Sequence, residues 1–156
     1  PFAMVGASMG GLTSIHAVGE GLAPAALVLV DIVPDMEPKG VDRIVGFMNA
    51  HLGGFASLEE AADAVAAYYP ERPRPRDPSG LMKNLRLRDD GRLYWHWDPV
   101  MFQVEDPSRF REPLERSTVE LGHRPDVPVL VVRGQLSDIV SDASIAAFQS
   151  KVPHAE

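Results

Sequence analysis

The chain has 156 residues, 45% of them hydrophobic and 24% charged, with a formal net charge of −7, an ordinary composition for one globular domain. The acidic balance, with no block of lysine and arginine, argues against a nucleic-acid-binding surface. The lack of cysteine excludes disulfides, thiolate zinc sites and a cysteine nucleophile.

No stretch reads as a signal peptide. The longest apolar run, Ala23 to Val30 with Pro24 inside it, is too short to span a bilayer, so a cytoplasmic protein with no membrane partner is expected. The chain opens at Pro1 inside a strand-like run and closes at Glu156 just after a helix-like one. It therefore reads as part of a longer protein.

The first element is a short apolar strand, Phe2 to Val5, which leads directly into Gly6-Ala7-Ser8-Met9-Gly10. An apolar helical pattern at Leu12, Ile15 and Val18 follows at once. Strand, sharp turn and helix with a serine at the apex is the context that gives weight to G-x-S-x-G, a nucleophile elbow. Glycines two residues before and two after the serine are expected to be required by the tightness of the turn. The turn lifts the Ser8 hydroxyl clear of the sheet and sets it beside a helix N-terminus, where the N–H of Met9 can donate to a developing oxyanion.

A dinucleotide fingerprint with Asp31 as the ribose-binding acid is the rival for this stretch. It fails on spelling, because G-x-G-x-x-G needs glycine where Ser8 stands.

The run Ala25 to Ile32 suits a strand covered on both faces, and strand–helix–strand within about thirty residues is a βαβ unit. From Pro34 to about Arg124 the grammar changes. Val41, Ile44, Val45 and Met48 make a helical stripe ending near Leu52. Ser57 and Glu60 form a capping box that opens a second helix, which Pro70 stops. The segment Glu71 to Pro78 alternates arginine and proline and reads as an exposed, stiff connector whose arginines solvate a loop. A short helix is expected over Leu81 to Leu85.

A hairpin follows, with Leu85–Arg88 and Leu93–Trp97 flanking Asp89-Asp90-Gly91, and then an amphipathic helix over Phe110 to Leu121. This excursion reads as a cap or lid. It holds both tryptophans, Trp95 and Trp97, and all three tyrosines, including Tyr94. These suit the wall of an apolar pocket, or equally the packing of the cap itself. Val127 to Val132 reads as a second fully buried strand, and Asp142 to Val152 as a helix with Ile145, Ala146 and Phe148 on its apolar side.

This layout resembles the α/β-hydrolase fold superfamily along the whole chain. Two motifs hold the resemblance: Gly6-Ala7-Ser8-Met9-Gly10-Gly11 at the elbow, and Arg133-Gly134-x-x-Ser137-Asp138 in the loop after the penultimate core strand. The resemblance implies an α/β fold, a partial sheet of mostly parallel strands with flanking helices and a mainly helical cap insertion. Residues 1–33 and 125–156 are then the core and 34–124 the cap.

It further implies Ser8 as nucleophile and Asp138 as triad acid, in the family's order. As a helix N-cap Asp138 is less well placed than Ser141 or Asp142. Asp31 is the alternative acid position. The family's base histidine follows a final strand beyond a segment like Val152–Glu156. By that pattern His16, His51, His96, His123 and His154 are all misplaced, and the base is expected beyond Glu156.

The activity implied is that of a serine hydrolase. It cleaves a carboxylic ester or similar acyl bond of a small apolar substrate through an acyl-enzyme, with no metal and no organic cofactor. The 156 residues alone are expected to be inactive and poorly soluble. A non-catalytic small-ligand-binding protein on the same fold, and an NAD(P)-binding oxidoreductase, are the competing readings.

Overall fold

The computed structural model describes residues 1–102 and 108–156. Residues 103–107, inside the 34–124 insertion read from the sequence, lie outside the described residues. The chain divides into two compact units, one of Pro1–Asp42 and Glu105–Glu156, the other of Arg43–Val104.

In the first unit β1 (Ala3–Ala7), α1 (Met9–Gly19) and β2 (Ala26–Val30) form the βαβ unit expected from the apolar runs. With β5 (Val129–Val132) they build a parallel sheet in the order β1-β2-β5. The register pairs Ala7 with Val30 and Val30 with Val132, so all three strands end level. Ser8, Asp31 and the loop opening at Arg133 therefore leave from one edge of the sheet, the edge where open α/β sheets hold their ligands.

Helix α4 (Ser108–Gly122) belongs to this unit and packs on α1 and on α5 (Asp142–Lys151). His16 Nδ1 and Ser117 Oγ, 2.9 Å apart, join α1 to α4. After α5 the chain returns to β5, where Val131 N–H donates to the Glu156 carbonyl and Glu156 N–H to that of Val129. The core lies beneath Leu27 and Leu29 and includes Ile15, Leu121, Val127 and Phe148.

Burial of these apolar side chains is what holds the unit together, at about 1.5–3 kcal/mol for each large one. The sheet is not covered on both faces as its Val/Leu runs suggest. Leu130 and Val132 of β5 are 45% and 47% exposed, and Val5 of β1 70%, because the inward residues alternate with outward ones that no helix among the described residues covers.

The second unit takes in most of α2 (Pro38–Ala50), which begins three residues earlier than its apolar stripe because Pro38 suits the first helical position. One half of the capping box of α3 (Leu58–Tyr68) is formed, Glu60 N–H donating to Ser57 Oγ at 3.1 Å, while Glu60 Oε2 accepts from Ala56 N–H, one residue before the cap, at 2.6 Å. The Arg/Pro connector is irregular, as read, but its arginines do more than solvate it. Arg74 ties it to α3 through Asp63 at 2.6 Å and the Glu59 carbonyl at 3.3 Å.

A 3₁₀ turn, Ser79–Asn84, leads into the antiparallel hairpin of β3 (Leu85–Leu87) and β4 (Leu93–Trp95), shorter than expected at both strands. Phe55, Ala61, Leu85 and Trp95 are this unit's own buried cluster. No helix among the described residues is long and apolar enough to cross a membrane.

Candidate active site

Ser8 is the residue between β1 and α1, and its backbone shows the strain expected of an elbow. Its φ of 51° and ψ of −130° lie where side-chain-bearing residues are seldom found, a conformation that costs on the order of 1–3 kcal/mol and persists where its surroundings over-determine it. Those surroundings are glycines. A Cβ on Gly6 would stand 2.6 Å from the Gly10 carbonyl oxygen and from the N and Cα of Gly11, and one on Gly11 would stand 2.3 Å from Ile32 Cγ2. Gly10 has nothing within 4 Å of that position. The requirement for glycine after the serine thus falls on Gly11, three residues on, because Gly11 is the one facing Gly6 of β1 and Ile32, the second residue after β2.

Gly11 and Leu12 both donate their N–H groups to the Ser8 carbonyl, at 2.9 and 3.3 Å. Intrahelical bonding starts there, and the Met9 N–H lies ahead of it at the positive end of α1. The Ser8 side chain is exposed.

A second strained residue stands on the neighbouring strand end. Asp31 has φ 52°, and apart from Ser8 it is the one non-glycine residue with positive φ among those described. Its Oδ1 accepts the N–H of Gly134 at 2.9 Å, so Asp31 clamps the first residues of the loop that holds Asp138. The far side of that loop is fixed by α2. A Cβ on Gly40 would stand 2.2 Å from the Asp138 carbonyl oxygen, and Glu37 N–H donates to the Ile139 carbonyl at 2.9 Å. Ser141 caps α5, its Oγ accepting from Ser144 N–H at 3.0 Å, and also bonds to Glu37. The cap of α5 is therefore Ser141, which leaves Asp138 on the loop. The role of Asp31 was not legible as a clamp, since nothing in a sequence marks which aspartate adopts a left-handed backbone.

None of the five histidines hydrogen-bonds to Ser8 among the described residues. His16 faces Ser117 on α4, His96 Nδ1 lies 3.1 Å from the Asn84 carbonyl, and His123 Nδ1 lies 3.9 Å from Glu120. His51 packs beside Phe55, and His154 keeps a buried Nε2 without a hydrogen-bond partner among the described residues. No cluster of three or more metal-ligating side chains occurs among the described residues.

The aromatic residues singled out in the sequence sit within the second unit. Trp95 packs edge-on to Phe55 and stacks on Trp97 at 4.6 Å. Trp95 and Trp97 line a cleft there, whereas Tyr94 is not among its lining residues. The Tyr94 hydroxyl donates to Asp90 at 2.7 Å, which raises the phenol above its ordinary value, and Arg88 lies 4.0 Å over its ring.

Comparison with known proteins agrees with this fold. No family model matches the chain. It is 27% identical over 162 aligned positions to a 3-hydroxybutyrate-oligomer hydrolase of Cupriavidus necator, an alignment covering 96% of this chain and 54% of that protein. Among solved structures, an α/β hydrolase from Novosphingobium aromaticivorans superposes with a TM-score of 0.70 at 28% identity, over 99% of this chain and 55% of that one. An esterase from Mycobacterium tuberculosis gives 0.68 at 25%, over 97% and 49%. The fold is that of the α/β hydrolases, and the chain is similar to hydrolases and esterases that share it. It spans about half the length of each of these relatives.

Proposed function

We propose that this chain carries the nucleophile and the acid of a serine hydrolase acting on a carboxylic ester or similar acyl bond. The observation that supports this best is the strained Ser8 at the tip of the β1–α1 turn, on the sheet edge from which the Asp138 loop also departs. In the reaction a base takes the Ser8 proton, Oγ attacks the acyl carbon, and the Met9 N–H donates to the oxyanion. The alcohol leaves with the proton from the base, and water then releases the acyl group from Ser8 by the same steps. Asp138 accepts from the base histidine and holds its tautomer.

That histidine is proposed to come from outside the 156 residues, consistent with their spanning about half of each relative. The insertion over 34–124 is proposed to select the substrate. The steps proposed use no metal and no organic cofactor. A short hydroxyacid oligoester is the first substrate class to try, given the substrate in the relative's name.

The test is turnover of p-nitrophenyl butyrate and of a linear 3-hydroxybutyrate dimer by the protein from its native source. Ser8→Ala should lower kcat by about 10³-fold or more, and Asp138→Asn by a similar order. Turnover that survives Ser8→Ala would overturn the assignment. A second reading, a ligand-binding protein without catalysis, draws on the Ser8 hydroxyl's having no histidine partner among the described residues. Ligand affinity retained in Ser8→Ala, with no wild-type turnover, would favour it.

A further inference from the structure

The hairpin unit contains a cleft of about 360 Å³, enough for one small molecule. Arg86, Arg88, His96 and the stacked pair Trp95 and Trp97 line it, with Asp98 as the one acid on its wall among the described residues. From this we infer that the cleft binds a small amphipathic carboxylate, its charged end on Arg86 and Arg88 and its apolar body against Trp95 and Trp97. The inference concerns this unit alone and does not depend on Ser8 chemistry.

Its charge is the first argument. Arg86 lies on β3 and Arg88 just past its end, both on the cleft wall, and neither pairs with a carboxylate among the described residues. Arg86 donates to the carbonyl of Leu85, its own neighbour, at 2.9 Å, and Arg88 rests on the Tyr94 ring. A carboxylate entering the cleft would find two guanidinium groups on its wall, each able to give forked hydrogen bonds. His96 adds a third group. Its Nδ1 faces the Asn84 carbonyl at 3.1 Å; a carbonyl only accepts, so Nδ1 holds the proton and Nε2 is left available. Asp98, the opposing charge, is engaged by the N–H of Val100 at 3.0 Å.

The aromatic side of the cleft is the second argument. Trp95 is 8% exposed, and its indole N–H is buried with no acceptor among the described residues. An unmade bond of this kind is uncommon, and an indole usually finds a partner when buried. The two indole rings stack at 4.6 Å with 14° between their planes, and both tryptophans line the cleft together with the two arginines. Inorganic anions would use the charges and leave the indole rings unused, whereas a neutral lipid chain would do the reverse.

The chain contains two tryptophans, both on this cleft, so tryptophan emission reports on it directly. The experiment titrates the chain with hexanoate, hexanamide and inorganic phosphate. A saturable emission change with hexanoate is expected, with affinity at least about tenfold weaker for hexanamide and for phosphate. Arg86→Gln/Arg88→Gln should weaken hexanoate by a similar factor, and Asp98→Asn should tighten it. No saturable response to hexanoate, or an equal response to hexanamide, overturns the proposal. Equal binding of phosphate overturns the amphipathic part of it. If the double arginine variant fails to fold, the comparison of hexanoate with hexanamide on the wild-type chain decides alone.

Discussion

Replacing Gly6 by alanine places a methyl group 2.6 Å from three backbone atoms of Gly10 and Gly11, about 1 Å inside a normal contact distance. The obstacles are backbone, which cannot swing aside as a flexible side chain could, so the strand and helix must separate. Overpacking of this kind costs typically about 1–3 kcal/mol and occasionally more, and Gly6→Ala should fall at or above the top of that range.

Gly11→Ala meets Ile32 Cγ2 at 2.3 Å, and Ile32 is 1% exposed, so a cost of about 2–3 kcal/mol is expected. Gly10→Ala meets nothing within 4 Å and exchanges glycine for a better helix former, a gain of up to about 1 kcal/mol. Urea unfolding of the three variants would separate them. The Gly6→Ala midpoint should fall by about 1 M or more for slopes of ordinary size, while that of Gly10→Ala should hold or rise. A Gly6→Ala midpoint equal to wild type, or a Gly10→Ala loss as large as that of Gly6→Ala, refutes the account of the turn.

Two further substitutions test the frame around the site. Asp31→Ala removes the acceptor for Gly134 N–H and leaves a side-chain-bearing residue at φ 52°. A loss of about 2 kcal/mol is expected, with Asp31→Asn closer to wild type because asparagine keeps an acceptor and tolerates that backbone. Equal losses in the two variants would remove the clamp from the argument. Lys151 joins α5 to Glu115 at 2.9 Å and to Asp35 at 3.1 Å. The hydrogen bond to Glu115 and then that to Asp35 favour its charged form and raise its pKa above the ordinary 10.5. A raised lysine contributes stability that is fully present below the unfolded value and lost as pH rises through the folded one. Lys151→Met should therefore cost up to about 1 kcal/mol at pH 7 in low salt, and the gap from wild type should close in alkali. A gap that widens above pH 10.5 would contradict this.

The parallel sheet was legible because Val/Leu runs of strand length alternate with one helical stripe, and that pattern leaves few topologies. The elbow was legible for a similar reason, since strand, G-x-S-x-G and helix adjoin without a gap. What the letters do not record is which neighbour each residue meets. Gly10 and Gly11 are identical as text, and the nearness of Ile32 and of the Gly6 backbone to Gly11 distinguishes them in space. The Phe110–Leu121 stripe announced a helix but not the unit it joins, which is fixed by contacts such as His16 with Ser117. The continuous apolar run of β5 suggested two covered faces, although Leu130 and Val132 are exposed. Asp138 was reached through a family resemblance, and Asp31 escaped as a clamp because its partner lies 103 residues away.

The central claim is that Ser8 is an activated nucleophile. It is tested most directly by treating the native protein with a serine-directed fluorophosphonate and mapping the adduct by peptide mass spectrometry. The account predicts a single stoichiometric adduct on the peptide containing Ser8, absent in Ser8→Ala and slowed in Asp138→Asn. Labelling at another serine, or none in a preparation that hydrolyses esters, would contradict it.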